Sequence, residues 1–366
     1  MLKKTQKKNQ KKNKLLIIRF SSFGDIVQAI SIPYHFLQKF PNSEIHWLTR
    51  EDFCEILTAQ TRINKVISFS RRSGAWGLIK MAWKLSGDGY THVYDAHNNL
   101  RSKVVMSIFF FRAFTFFFKL KTGWFLFLTR PKNRLRRFLL FRLGWNSFEK
   151  PFIASKSYLE PLSKWGIFFD HKNPLADNHF LISKLATEKV TELLAKERFF
   201  AGDFIALVPS AAWQMKRWPP TYWKQLIEQL PNEKFIILGG PEDHFCEELA
   251  LVAPLRVLNL SGQLSLIESS AVIAQAKLAI SGDTGLLHVS DQIQKNCIAL
   301  IGPAAFGFPA SPNSSSLYAN LYCQPCSKDG RGHCRNKVYQ KCMLDITPHL
   351  VADHVKQHLQ VHPEAR

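Results

Sequence analysis

Four short polar segments in this sequence each follow an apolar run and precede an amphipathic one. They are the segments 21–25, 210–219, 239–243 and 281–288. Each combines small residues with hydroxyl, carboxylate, ammonium or imidazole groups, which bind phosphates and sugar hydroxyls and transfer protons. The sequence therefore predicts a site for a phosphorylated, polyhydroxylated ligand, with a carboxylate available for acid–base chemistry.

The last of these segments, SGDTGLLH, contains the most specific signal. Its glycines let the backbone approach a ligand closely. The N–H groups of Thr284, Gly285 and Leu286 are expected at a helix N-terminus, where they suit a diphosphate. Asp283 is better suited to sugar hydroxyls than to an anion. His288 lies one helical turn after Thr284, and the sequence leaves open whether it binds a leaving phosphate or is structural.

The other three segments each offer a functional reading and a structural one. Asp25 stands at a helix start, where it is a helix-capping carboxylate, a general base, or both. Ser210 and Lys216 offer a hydroxyl and a cation to a phosphate, although a solvated lysine is the alternative. Glu242 or Asp243 is placed to accept hydrogen bonds from ribose hydroxyls, or else complements a helix dipole.

Alternating apolar strands and amphipathic helices must position these segments. The predicted strands cover residues 15–20, 44–49, 64–70, 91–96, 204–210, 235–240, 257–262, 278–283 and 297–302. Strands that alternate with crossover helices form parallel sheets covered on both faces, and their ligands bind beyond the carboxyl ends of the strands. A chain of 366 residues is long enough for two such domains. The sequence therefore predicts an α/β protein with two Rossmann-like domains facing each other across a cleft.

We expect three regions along the chain. Residues 1–14 contain seven Lys and no apolar core of a signal peptide, so they are predicted to be a basic disordered tail of a cytoplasmic protein. Residues 15–175 form the N-terminal domain and residues 176–366 the C-terminal one.

The chain resembles the ADP-heptose:lipopolysaccharide heptosyltransferases from Leu15 onward. The resemblance depends on the RFSSFGD turn, the KRWP stretch that begins at Lys216 together with Trp223, the GGPED turn, GDTGLLH and a cysteine-containing tail. It implies the glycosyltransferase-B fold, with the acceptor on the N-terminal domain and ADP-heptose on the C-terminal one. It also implies an inverting transfer of heptose to the lipopolysaccharide inner core without a metal ion or other cofactor.

Site roles follow from the same resemblance. Asp25 becomes the catalytic base, Glu242 a ribose ligand and Asp283 a sugar ligand. The diphosphate is assigned to Ser210, Lys216 and the amides of Thr284, Gly285 and Leu286, with His288 as a further donor ligand. One departure is Ala211, which follows Ser210 where some members have a second hydroxyl residue.

An excess of basic residues predicts an anionic partner, because the formal net charge is +21. Between Arg101 and Arg142 eleven Lys or Arg alternate with eleven Phe, without any Asp or Glu. No apolar run there is long enough to span a bilayer, so the stretch is predicted to lie on the inner leaflet of the inner membrane. Arg101, Lys103 and Arg130 are the predicted ligands of the phosphorylated acceptor. Nucleic acid is the disfavoured partner, since no binding module for it accompanies the stretch.

Two questions stay open at this stage. Cys323, Cys326, Cys334 and Cys342 have the spacing C-x2-C-x7-C-x7-C, which is compatible with structural zinc or with reduced thiols. The alternative functions are transfer from another nucleotide-sugar on the same fold, or a non-enzymatic basic protein that binds membranes or nucleic acid. A dehydrogenase is disfavoured because the first turn lacks G-x-G-x-x-G.

Overall fold

Alternating strands and helices build two fully parallel β-sheets in this chain. The computed structural model describes residues 12–120, 126–171, 174, 180–304 and 306–361. The strands are β1 Lys14–Ile18, β2 Glu44–Arg50, β3 Lys65–Phe69, β4 His92–Asp95, β5 Leu126–Thr129, β6 Phe204–Val208, β7 Lys234–Ile237, β8 Val257–Asn259, β9 Leu278–Gly282, β10 Cys297–Leu300 and β11 Ser314–Leu317.

Helices connect almost all of these strands. They are α1 Phe23–Ala29, α2 Ser31–Lys39, α3 Cys54–Thr58, α4 Gly74–Leu85, α5 Leu100–Leu120, α6 Arg134–Phe138, α7 Lys156–Leu159, α8 Lys184–Lys196, α9 Pro220–Gln229, α10 Phe245–Ala250, α11 Leu266–Gln275, α12 Gly285–Gln292, α13 Lys341–Leu344 and α14 Pro348–Val361. In the described part of the chain, no helix has the length and hydropathy that crossing a membrane requires.

By packing, the chain divides into two compact units. The first contains the chain up to Ser21, Ile32–Pro131 and Pro161–Phe168. Its sheet has the order β3-β2-β1-β4-β5. The central strand β1 is fully buried from Leu15 to Ile18, because it pairs with β2 on one side and β4 on the other while helices cover its faces.

The second unit contains Ser22–Ser31, Lys132–Glu160 and the chain from Phe169 onward. Its sheet has the order β11-β10-β9-β6-β7-β8. The core around this sheet includes Trp218 and Trp223, whose rings meet edge to face at 4.9 Å. Two segments that precede residue 175 therefore pack with this sheet: the helix α1 and residues 132–160.

The predicted α/β class with two parallel-sheet domains is confirmed. The helix expected near Asp25 begins two residues earlier, at Phe23. Two strands were not predicted, β5 and β11. Both lie at sheet edges, where one side of the strand has no partner and a long apolar run is not required. Strand β5 falls inside the basic aromatic stretch, so part of that stretch belongs to the first sheet. The predicted N-terminal tail lies outside the described residues up to position 11.

A buried histidine marks the core of the first unit. The ring of His92 lies among Phe36, Phe40 and Trp165, with centroid distances of 5.1, 5.2 and 4.8 Å. Its Nδ1 is 2.8 Å from Thr91 Oγ1. Burial among these rings lowers the pKa of His92 to about 4, because the imidazolium form is poorly solvated there.

This burial predicts a loss of stability on acidification. Below pH 6.5 His92 is protonated in the unfolded chain, whereas in the folded chain it stays neutral until about pH 4. The free energy of unfolding should therefore decrease across this window by up to about 3 kcal/mol. His92→Phe should remove that part of the pH dependence, whereas His349→Gln, at an exposed histidine, should retain it. Urea unfolding at pH 7 and pH 4.5 measures the difference, and equal pH dependence in the His92→Phe variant and the unmodified protein would contradict the prediction.

Candidate active site

The predicted ligand-binding segments of the second unit meet where its sheet reverses direction. From the adjacent strands β6 and β9, the sheet continues to β7 and β8 on one side and to β10 and β11 on the other. This is the strand order of the Rossmann fold, and the reversal opens a crevice beyond the carboxyl ends of the two central strands. Ser210 lies two residues after β6, and Asp283 immediately follows β9.

An ion pair connects the turns that follow these two strands. Lys216 Nζ lies 2.8 Å from Asp283 Oδ2, and both side chains are largely buried. Burial alone would raise the pKa of Asp283. The Lys216 ammonium and the nearby His288 ring outweigh that effect and hold the pKa of Asp283 well below its usual range. The predicted sugar ligand and the predicted phosphate ligand are therefore a charged pair.

A glycine lets the chain after β10 pass directly over Asp283. A Cβ atom at Gly307 would lie 2.2 Å from Asp283 Cγ, closer than any side chain allows. The same connection is fixed a few residues later, because the Asp291 carboxylate accepts hydrogen bonds from the N–H groups of Ala310 and Ser311 at 2.7 and 2.6 Å. Burial raises the pKa of Asp291 to about 6. The loop from Gly307 to Ser311 is thus held at both ends. Asp283, two residues before the start of α12, contacts the beginning of the loop, and Asp291 on α12 binds its end.

The N-terminus of α12 has the predicted form. Thr284 is the N-cap, and its Oγ1 accepts a long hydrogen bond from Leu287 N at 3.4 Å. The N–H groups of Gly285 and Leu286 belong to the first turn, where a helix offers them no internal acceptor. A Cβ atom at Gly285 would lie 2.2 Å from the ring of Phe23, so the glycine permits close packing of α12 against α1.

His288 lies between α1 and Asp283. The ring is buried, and its Nε2 lies 2.8 Å from Gln28 Nε2 on α1. The same nitrogen is 3.7 Å from Asp283 Oδ1, beyond hydrogen-bond distance, so this contact is electrostatic. His288 therefore has partners within the protein, which favours its structural reading, while its proximity to Asp283 keeps it beside the ligand-binding groups.

Asp25 is held by two hydroxyl groups at the start of α1. Its Oδ2 accepts a hydrogen bond from Ser22 Oγ at 2.9 Å, and its Oδ1 accepts one from Tyr158 Oη at 2.8 Å. Tyr158 is fully buried on α7. Asp25 Oδ2 also accepts a long hydrogen bond from Ser22 N at 3.4 Å in the capping box of α1, so Asp25 has the predicted helix-capping role.

The two acidic residues of the GGPED turn, between which the sequence could not choose a ribose ligand, have different surroundings. Asp243 is buried, accepts a hydrogen bond from Gly240 N at 2.8 Å and lies 3.4 Å from Arg217. Arg217 in turn donates from Nε to the Ala211 carbonyl at 2.8 Å, which connects this turn to the one after β6. Glu242 is exposed beside it. Asp243 therefore shapes the turn, and Glu242 is the acid that faces solvent.

The three predicted acceptor ligands gather at one edge of the first unit. Arg101 and Lys103 are exposed on the first turn of α5, which follows β4, and Arg130 follows β5. Strands β4 and β5 are neighbours, and Arg130 N donates to the Asp95 carbonyl at 2.9 Å. The Asp95 carboxylate also accepts the N–H of Asn98 at 2.7 Å. The structure thus places Arg101, Lys103 and Arg130 beyond the carboxyl ends of adjacent strands.

Sequence reasoning missed several residues that shape the site. Tyr158 and Gln28 contact predicted site residues from 133 and 260 positions away, and no spacing pattern reports such contacts. In the sequence, nothing distinguishes Gly307 from other glycines in loops. Asp291, three residues after His288, is the exception, because a charged residue in a helix that follows a buried strand indicates a buried partner.

The four cysteines of the tail come together. Cys323, Cys326, Cys334 and Cys342 line one cavity of about 10 Å³, and all seven cysteines are free thiols. Burial raises the pKa of Cys342 to about 12. Within the residues that the structure describes, no three donor groups stand at metal-binding distances from a common point. The choice between zinc and reduced thiols stays open.

Comparison with known proteins points to the heptosyltransferases. Residues 167–339 match the family described as glycosyltransferase family 9 (heptosyltransferase). Lipooligosaccharide heptosyltransferase 2 of Haemophilus ducreyi is 25% identical over 367 residues, covering 94% of this chain and 99% of that protein. By these matches the chain is similar to the heptosyltransferases. It is therefore a glycosyltransferase enzyme.

Solved structures of heptosyltransferases share its fold. The family 9 glycosyltransferase of Veillonella parvula superposes with a TM-score of 0.73 at 18% identity, covering 95% of this chain and 97% of that one. The Escherichia coli ADP-heptose lps heptosyltransferase II gives 0.67 at 17% identity, with 96% and 99% covered. The chain therefore has the glycosyltransferase-B type of fold.

The ion pair between Lys216 and Asp283 predicts the outcome of a double-mutant cycle. Lys216→Met should destabilise the protein by about 3 kcal/mol, because it leaves the Asp283 carboxylate buried without its cation. Adding Asp283→Asn should restore part of that loss. Lys224→Met breaks an exposed pair with Glu248 and should cost no more than about 1 kcal/mol. Urea unfolding at pH 7 measures these three variants and Asp283→Asn alone, and a Lys216→Met cost equal to that of Lys224→Met would show that the pair does not stabilise the fold.

Proposed function

We propose that this enzyme transfers a heptose from ADP-heptose to the inner core of lipopolysaccharide, with inversion at the anomeric carbon. The observation that supports this most is the grouping of Asp283, Lys216 and the α12 N-terminus at the reversal of the second sheet, with Asp25 on the helix that packs against α12. The related Escherichia coli enzyme is an ADP-heptose lps heptosyltransferase.

The donor is bound by groups of opposite chemistry. Asp283 accepts hydrogen bonds from heptose hydroxyls, since a carboxylate would repel a phosphate. Lys216 and the amides of Thr284, Gly285 and Leu286 neutralise the diphosphate, and the Ser210 hydroxyl adds a donor. The exposed Glu242 accepts hydrogen bonds from the ribose two strands away, and His288 orients Asp283 from behind.

Asp25 acts as the general base. It accepts the proton of the acceptor hydroxyl while that oxygen bonds to the anomeric carbon and the bond from this carbon to the diphosphate oxygen breaks. ADP leaves with the electron pair, and a single displacement of this kind inverts the configuration. The hydroxyls of Ser22 and Tyr158 hold the carboxylate in place.

We further propose that no divalent metal takes part. A cation is needed because charge develops on the leaving diphosphate, and Lys216 supplies one at a fixed position beside the helix amides. When the diphosphate binds Lys216, it replaces Asp283 as the partner of the lysine, and the Asp283 carboxylate then accepts hydrogen bonds from the sugar. Each member of the pair thus contacts a ligand group of suitable chemistry.

The acceptor phosphates and the membrane are assigned to the first unit. Arg101, Lys103 and Arg130 bind the phosphates of the glycolipid core. Helices α4 and α5 pack together and expose Trp76, Trp83 and a group of Phe on α5. Aromatic side chains beside cations suit the interface of an anionic leaflet. We therefore place the enzyme in the cytoplasm, peripherally bound to the inner leaflet of the inner membrane.

The base assignment predicts a selective loss of turnover. Asp25→Asn keeps the size of the side chain and one accepting oxygen but cannot take up the proton, so kcat should decrease by about 10² to 10⁴. The affinity for ADP-heptose should not change. ADP release with a lipid A–Kdo acceptor, measured in EDTA, tests the base and the metal-independent reaction together. Asp353→Asn on α14 is the control, and retention of most turnover by Asp25→Asn would refute the assignment.

The basic residues Arg101, Lys103 and Arg130 at the edge of the first unit predict salt-dependent binding to anionic lipid. Reversing the charge at Arg101 and Lys103 should weaken binding to phosphatidylglycerol vesicles by roughly 30-fold or more, because each basic residue adds about 1 kcal/mol. Reversal at Lys184 and Lys196, which are exposed on α8, should leave binding unchanged. Vesicle cosedimentation at low and high salt measures both, and equal effects of the two double variants would exclude a specific membrane-facing edge.

A further inference from the structure

An aromatic pocket of about 140 Å³ lies in the second unit beyond the carboxyl end of β10. Its walls are Phe148 and Phe152 from the segment 146–152 and Phe306 and Phe308 from the loop after β10. The two walls are joined by a parallel β-bridge between Ile153 and Phe308. None of these residues has a role in the donor site described above.

The aromatic rings of this pocket form an ordered cluster. Phe306 meets Phe152 at 4.7 Å and Phe148 at 5.4 Å, both edge to face. The Arg137 guanidinium lies over the Phe306 ring at 4.4 Å. Such packing fixes the rings relative to one another, so the pocket wall is formed before a ligand arrives.

Both walls are anchored to groups of the proposed reaction. In the loop, Gly307 lies between Phe306 and Phe308 and touches the Asp283 carboxylate. In the other segment, Tyr158 follows Phe152 by six residues and donates its hydrogen bond to Asp25. The pocket is thus connected by a few residues to the donor-sugar ligand on one side and to the base on the other.

The sheet order shows which substrate this pocket can serve. With the donor bound as proposed, the nucleotide runs from Asp283, after β9, toward Glu242, after β7, which lies across β6 in the direction of β8. The pocket lies beyond β10, the neighbour of β9 in the opposite direction. Adjacent strands are about 4.8 Å apart, so the adenosine points away from the pocket. The acceptor must approach from the side that the nucleotide leaves open.

The polar residues of the pocket distinguish a sugar from a lipid chain. Amide and charged side chains stand around the aromatic floor, namely Asn146, Glu149, Lys150, Asn320 and Gln324. An acyl chain offers these groups no hydrogen-bond partner, whereas Gln324 already bonds to Leu321 N and the Gly302 carbonyl and Glu149 lies near Lys156. A sugar ring offers an apolar C–H face to the aromatic rings and hydroxyl groups to the amides and the carboxylate.

We propose that this pocket binds a sugar ring of the acceptor and so selects the saccharide that receives the transferred residue. The proposal rests on the proposed function, because it takes the donor to lie at Asp283.

Two variants test the pocket. Phe148→Ala removes a half-buried ring from its wall, and Glu149→Gln changes an exposed carboxylate without changing its shape. The KM for the acceptor should increase by about tenfold in Phe148→Ala, the size of effect expected for a ring that contacts ligand. It should increase by a smaller factor in Glu149→Gln. The KM for the donor should stay unchanged. Phe200→Ala, at an exposed ring elsewhere in the unit, is the matched control.

A direct measurement of acceptor binding tests this pocket independently of the proposed function. Saturation-transfer NMR with deacylated inner-core oligosaccharide should give ring-proton signals with the unmodified protein and lose them with Phe148→Ala. If the unmodified enzyme released no ADP from ADP-heptose, the proposed function would fail, yet this binding comparison would still decide the pocket. A folded Phe148→Ala variant with unchanged acceptor KM and unchanged NMR signals would overturn the inference, as would an increase confined to the donor KM.

Discussion

The ion pair between Lys216 and Asp283 determines how the second unit can work. A lysine and an aspartate that are both largely buried are stable only as partners, since either charge alone would be poorly solvated. The pair joins the turn after β6 to the turn after β9, and these are the two turns that border the crevice at the reversal of the sheet. Each turn brings its own further contacts, through Arg217 to the GGPED turn and through Gly307 to the loop after β10.

The same pair explains why the site contains opposite charges so close together. A diphosphate and a sugar need a cation and an acceptor of hydrogen bonds at adjacent positions. Before a ligand arrives, these two groups satisfy each other, and the cost of keeping two charges in a half-enclosed crevice is limited. In the proposed reaction, a donor substrate with both a diphosphate and hydroxyl groups replaces the pair without leaving either charge unpartnered, whereas a ligand with only one of these features does not.

Much of the fold was predictable because its central strands are apolar on both faces. Runs such as LLII in β1 and FIALV in β6 are buried throughout, and they are readable without knowledge of their partners. The edge strand β11 has the sequence SSSL and no such signal. Segments of the site were predictable from residue type and from position after a strand. That Lys216 pairs with Asp283, that Tyr158 holds Asp25 and that Phe148 and Phe306 share a pocket all depend on distant parts of the chain, which sequence spacing does not report.

Helix α1 packs with the second sheet although it directly follows β1 of the first. It brings Asp25, Gln28 and the Phe23 ring to α12, where Gly285 and His288 receive them. Chain order and packing order therefore disagree at this helix, and a cut near residue 175 does not yield two self-sufficient halves. A chimaera that joined the first half of one family member to the second half of another would create a mismatched α1–α12 contact beside the reacting groups. Residues of these two helices are consequently expected to change as a set during divergence, even though more than 250 positions separate Gln28 from His288 in the chain.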